Sequence, residues 1–179
     1  DRTIEGAGTV GVELAHQWPE VELVFVPTGG GGLLSGVALA ISRALGDEVA
    51  VVGVEPEGST NLASALEAGH PVVIDPIRTR IQGLCPLDTG ERNLALVSRF
   101  VEGMVALHDD EILAAQALLV RAGHVVEPAG AAAVGAVLAG AFPEELLEDR
   151  SASRPLRVAC VVSGGNAEPE QLASLTSEA

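Results

Sequence analysis

Lysine is absent. All ten cationic side chains of this 179-residue chain are arginines, and a guanidinium stays protonated and forms imines poorly. Chemistry that needs a side-chain amine must take it from outside this sequence. Cations are also outnumbered. The formal net charge is −15 and the arginines are scattered, which excludes binding to nucleic-acid phosphates through a basic patch. Cysteine is scarce: Cys85 falls in a loop rich in proline and glycine, Cys160 in an apolar strand. They form neither a CxxC pair nor a disulfide framework, so we read a reducing, cytoplasmic compartment. A structural zinc site, which needs clustered ligands, is excluded as well. No apolar run reaches the roughly 18 residues of a membrane span, and no charged-then-apolar leader opens the chain. Met104 is the sole methionine and Asp1 the first residue. We therefore expect a segment of a longer protein, folded as one domain over residues 1–179.

What is present is an apolar chain (47% apolar, 20% charged) in which strands and helices alternate. Helices are predicted at 6–17, 33–45, 59–69, 92–99, 109–123 and 127–140. Strands are predicted at 21–26, 49–55, 103–107 and 156–163. Residues 71–91 read as a long loop, and the tail after Gln171 as loosely ordered. The helix at 59–69 carries Ser/Thr at its start as a cap and Gly69 at its close. Pro128 suits the first turn of the helix it opens. The strands "VELVFV" and "VAVVGVE" are apolar without alternation. This predicts an α/β fold, a mostly parallel sheet with helices on both faces, binding its ligand at the carboxyl ends of the strands.

Two glycine clusters follow strands directly: Gly29-Gly30-Gly31-Gly32, and Ser163-Gly164-Gly165-Asn166. Successive glycine amides can turn inward together, and a helix that follows adds its own unpaired N–H groups. The first cluster is thus a candidate phosphate cradle without a basic side chain, to which Thr28 could add a hydroxyl. Its spacing is neither GxGxxG nor that of a P-loop. In the second, Ser163 can aim its hydroxyl at a ring lying across the sheet; an ordinary turn is the plain alternative.

These clusters, "PTGGGGLLSG" and "VVSGGN", resemble those of the fold-type II pyridoxal-phosphate enzymes, particularly threonine and serine dehydratases and serine racemases. "GAGTVGVEL", "VVGVEPEGS", "RIQGLCPLDTG" and "VVEPAGAAAVGAVL" extend the likeness, in order, over nearly the whole chain. The resemblance implies a tryptophan-synthase-β-like fold, of which this chain would be most of the larger domain. It implies that the backbone of Gly29, Gly30, Gly31, Gly32 and Leu33 holds the cofactor phosphate and that Ser163 hydrogen-bonds the pyridine nitrogen. A hydroxyl, unlike a carboxylate, does not hold that nitrogen protonated, which suits β-elimination from a hydroxy amino acid. Glu127 matches an acid near the cofactor and Gly83 a glycine on the substrate side; a helix-terminal acid and a loop turn are their plain readings. The implied activity is conversion of threonine or serine to a 2-oxo acid and ammonia by a homo-oligomeric enzyme. Racemase, threonine synthase and diaminopropionate lyase are cousins with the same loops.

The sequence departs from this pattern twice. Some relatives bind a divalent cation through an acid after the second strand and another acid six positions on. Glu55 matches the first, but Asn61 stands at the second, and an amide is the weaker ligand for a hard cation. The second departure is the lysine that holds the cofactor aldehyde and moves the α-proton. In the family it lies upstream of the "GAGT"-like helix, so we expect this chain to be the C-terminal part of such an enzyme and inactive alone.

Other readings stay open. An NAD-binding Rossmann protein would place the glycine loop on a pyrophosphate and Glu55 on a ribose. A non-catalytic anion-binding module would need no lysine. His16, His70, His108 and His124 make no HxxxH or HExxH pattern. Ser35 lacks the GxSxG elbow of a nucleophile, and "PEELLED" reads as a solvated helix face.

Overall fold

The computed structural model describes residues 2–177. Its sheet has four parallel strands in the order β3-β2-β1-β4, with β1 at Leu23–Pro27, β2 at Ala50–Pro56, β3 at Gly103–Leu107 and β4 at Val158–Cys160. Helices α1 (Arg2–Gln17), α2 (Gly32–Leu45), α3 (Asn61–Ala68), α4 (Glu91–Phe100), α5 (Asp109–Arg121), α6 (Pro128–Leu138) and α7 (Pro169–Ser177) surround it.

The unalternating strands are explained by the two cores. Val24, Val26 and Val51 face Val37 and Ile41 of α2, Leu62 of α3 and Val97 of α4. Leu23, Phe25, Val52 and Val54 face the other way, onto Ala132, Ala133 and Ala136 of α6. Every residue of β1 and β2 is buried, so these strands are apolar throughout except at Glu55, near the end of β2, whose carboxylate accepts from backbone amides. Phe25 also meets Phe142 edge to face, with ring centroids 5.7 Å apart. Truncating such a buried ring costs about 3–5 kcal/mol.

α1 lies on α2 backbone to backbone. A Cβ on Gly36 would stand 2.5 Å from Ile4 O and 2.6 Å from Gly8 N, and one on Gly11 2.8 Å from Val37 O, so Gly8 and Gly11 of "GAGTVGVEL" are close-packing residues. Among the described residues no helix is long and apolar enough to cross a membrane.

Four expectations are corrected. β4 pairs with β1 only from Val158 to Cys160, because the Ser163 amide turns away to Gly130 O at 3.3 Å. The tail is helical as far as Ser177, residues 178–179 lying outside the described residues: Leu172 and Leu175 of α7 pack against Ala115, Val120, Val126 and Ala131. α3 starts at Asn61 without a side-chain cap from Thr60. Its Leu62 and Ala63 amides donate to the Glu55 carboxylate, at 2.8 and 3.1 Å. Finally, "PEELLED" forms only a short turn of 3-10 helix, Glu144–Leu147.

Candidate active site

Parallel β1 and β4 are neighbours, so the loops after them emerge side by side. Between these loops is a cleft of about 220 Å³, lined by Gly29, Gly30, Gly31, Gly32, Leu33, Gly83, Leu84, Glu127, Ala129, Ser163 and Gly164 together with Pro27. All eight cofactor-site residues expected from the sequence are here, drawn from four separate segments of the chain. A wider cleft of about 660 Å³ shares Gly83, Glu127 and Ala129 with it and runs along Gln82, Asn166, Glu168 and Gln171.

The glycine loop is built for an anion. Gly31 is the N-cap of α2 with φ +85°, and no side chain caps the helix. The first-turn amides therefore lack intrahelical partners and present the positive end of the helix dipole. Gly29 is crowded from across the cleft: a Cβ there would lie 3.4 Å from Gly83 O and from Pro86 Cδ. The loop is clamped from behind by donors to Gly30 O, namely Thr89 Oγ1 at 2.9 Å and Asn93 Nδ2 at 2.6 Å. Sequence reasoning missed both. The only signal was a Thr and an Asn flanking "GER" at the end of the long loop.

The opposite wall is equally close-fitting. Glu127 is the N-cap of α6, and its amide donates to Gly164 O at 3.0 Å. Gly164, with φ +73°, leaves no room for a Cβ beside the Glu127 carboxylate, and a Cβ on Gly83 would lie 3.5 Å from Glu127 Oε1. Glu127 thus stands between the two glycines. Gly130 has the Ser163 carbonyl against it with no space for a side chain, and this contact sets where Ser163 sits.

Other candidates lie elsewhere. Thr28 is buried, and its hydroxyl donates to Val26 O at 2.9 Å, so it adds nothing to the cradle. Ser35 is buried and donates to Asn93 O at 3.4 Å, a packing role. Cys160 donates to Ala133 O at 3.4 Å, and burial pushes its thiol up to about 11, which keeps it inert. His108 pairs with exposed Glu57 at 3.0 Å.

Glu55 is the main correction. It is 1% exposed and turned onto the start of α3, not into the glycine cleft, so it cannot reach a ribose beside that loop. Burial pushes its pKa up to about 7, against the opposing pull of the two amide bonds. Asn61 Nδ2 and Oδ1 and Ser59 Oγ are buried without hydrogen-bond partners. Two N–H groups aimed at the carboxylate, and an amide for the second acid, do not fit a divalent cation. Among the described residues no group of three or more His, Cys, Asp and Glu could hold a metal.

The uncapped amides of the glycine loop, Ser163 and a carboxylate between two glycines thus line one cleft. Comparison with known proteins shows the family. Residues 1–164 match the family "Pyridoxal-phosphate dependent enzyme", and the chain belongs to that family. It is 37% identical over 164 residues to the L-threonine ammonia-lyase of Thermotoga maritima, covering 91% of this chain and 38% of that protein. It is 32% identical to a serine racemase of Oryza sativa subsp. indica, covering 93% of this chain and 48% of that one. The crystal structure of a threonine deaminase from T.th. superposes with a TM-score of 0.78 at 36% identity, covering 92% of this chain and 57% of that chain. The chain thus spans only part of the length of these relatives.

Proposed function

We propose that this chain is the cofactor-binding part of a pyridoxal-phosphate-dependent ammonia-lyase acting on threonine or serine. One observation carries the reading: residues 29–33, 83, 127 and 163 converge on a single cleft at the carboxyl ends of β1 and β4. When bound there, pyridoxal phosphate supplies an aldehyde carbon and a ring that accepts electrons from the substrate's α-carbon.

In this reading the chain's own residues have separable tasks. The amides of Gly29 to Leu33 bind the phosphate, with the helix dipole in place of a lysine or arginine. Ser163 offers a hydroxyl to the ring nitrogen and leaves it neutral, limiting how far charge is drawn into the ring. Gly83, opposite Gly29, keeps the substrate side open, and Glu127 places a negative charge at the shared wall of the two clefts. The amine that holds the aldehyde and moves the α-proton comes from residues outside these 179, which contain no lysine. The relatives' greater length supports that division. The free cysteines fit a reducing, cytoplasmic setting, and the family likeness supports a homo-oligomeric parent.

The test is ammonia and 2-oxo acid release from threonine or serine by the natural protein loaded with pyridoxal phosphate. Production of both in equal amounts is expected. Isomerised amino acid without ammonia would move the assignment to a racemase. Saturable NAD binding without pyridoxal phosphate binding would overturn it.

A further inference from the structure

We infer that Thr89 and Asn93 are positioning residues that orient the Gly30–Gly31 peptide and thereby create the phosphate affinity of the loop. The inference rests on the phosphate reading given above. In a trans peptide the carbonyl of one residue and the N–H of the next point in opposite directions. Thr89 Oγ1 and Asn93 Nδ2 both donate to Gly30 O, at 2.9 and 2.6 Å. Neither residue lines the cleft, whereas Gly30 and Gly31 do. Holding the Gly30 carbonyl on the α4 side therefore puts the Gly31 N–H on the cleft side.

A Gly-Gly peptide has no side chains to choose between its orientations. Rotated the other way, it would present a carbonyl oxygen to the phosphate instead of an N–H. The donors are themselves fixed. Thr89 is 2% exposed, and the Asn93 carbonyl accepts from buried Ser35 Oγ at 3.4 Å. Thr89 stands just before the N-cap of α4 and Asn93 in its first turn. Yet α4 begins on Gly90 with no side-chain cap, and both side chains reach across to the glycine loop.

The experiment compares pyridoxal phosphate with pyridoxal, which lacks the phosphate, in fluorescence titrations of the natural protein and of its Thr89→Val, Asn93→Leu and double variants. Expected is an affinity loss of about 10- to 100-fold for pyridoxal phosphate in the double variant, the size of one charge-assisted hydrogen bond. The loss for pyridoxal should stay within about 2-fold. Thr89→Val, which keeps the side-chain shape, should show the same selectivity in smaller degree, so the inference is testable even if the double variant fails to fold. Equal losses for both ligands, or no loss for either, would overturn it. A natural protein with no preference for pyridoxal phosphate over pyridoxal would instead overturn the phosphate reading itself.

Discussion

Two helices begin at the carboxyl ends of adjacent strands, and they treat their N-termini in opposite ways. After β1 the chain enters α2 through glycines, with Gly31 at φ +85° and no side chain over the free amides. After β2 it enters α3 beneath Glu55, whose carboxylate takes the Leu62 and Ala63 amides. The physics is one: a helix N-terminus attracts an anion. At α3 the protein provides the anion itself, and at α2 it provides none. The two sites also touch, since a Cβ on Gly31 would lie 3.2 Å from Leu62 Cδ2. A helix start becomes a binding site only where the sequence withholds its own cap.

The comparison is broken most severely by giving α2 a cap of its own. Gly31→Asp should lower pyridoxal phosphate affinity by more than about 100-fold in an equilibrium titration, because a carboxylate then competes for the same amides. Far-ultraviolet circular dichroism should stay close to that of the parent, since Asp tolerates a left-handed backbone better than most residues.

The converse change removes the cap from α3. Glu55→Ala leaves two buried amides without a partner and should cost about 2–4 kcal/mol in denaturant unfolding. Glu55→Gln keeps one acceptor and should cost about 1 kcal/mol. Neither change touches the cleft directly, so the phosphate preference should survive both.

The buried carboxyl also predicts a pH dependence. Its folded pKa lies at about 7, above the ordinary 4.5. Between those values the folded state binds the additional proton, so this contribution to stability is complete below about 4.5 and is lost as pH rises through about 7. Unfolding measured from pH 4.5 to 8 should show that decline in the parent and a flatter profile in Glu55→Gln.

The smallest effect concerns the ring. Ser163→Ala should weaken cofactor binding by less than about 10-fold, the size of one neutral hydrogen bond. Ser163→Asp should shift the absorption of the bound cofactor, because a carboxylate would hold the pyridine nitrogen protonated. An unchanged spectrum would place Ser163 off the ring nitrogen.

The glycine loop and Ser163 were legible as candidates because strands run directly into them, whereas Glu127 was singled out only by family resemblance; the structure brings all three to one cleft. Strands followed by glycines put amides at strand ends whatever the rest of the chain does. The parallel sheet was legible too, since burial on both faces leaves β1 and β2 apolar up to Glu55. Thr89 and Asn93 were not, because a donor to Gly30 O from residues about sixty positions away leaves no periodic trace. Glu55 stayed ambiguous for a related reason. Its spacing to Asn61 suits a metal or a helix cap equally, and only the inward turn onto Leu62 decides. α7 escaped notice because its order comes from Leu172 and Leu175 packing on α5 and α6 rather than from composition.

The central claim is that this chain holds a cofactor whose covalent partner lies elsewhere. It is tested most directly by the intact mass of the natural protein before and after borohydride reduction, followed by peptide mapping. One added pyridoxyl group is expected, on a lysine outside these 179 residues. A natural protein that binds pyridoxal phosphate in the cleft but gains no mass on reduction would contradict it.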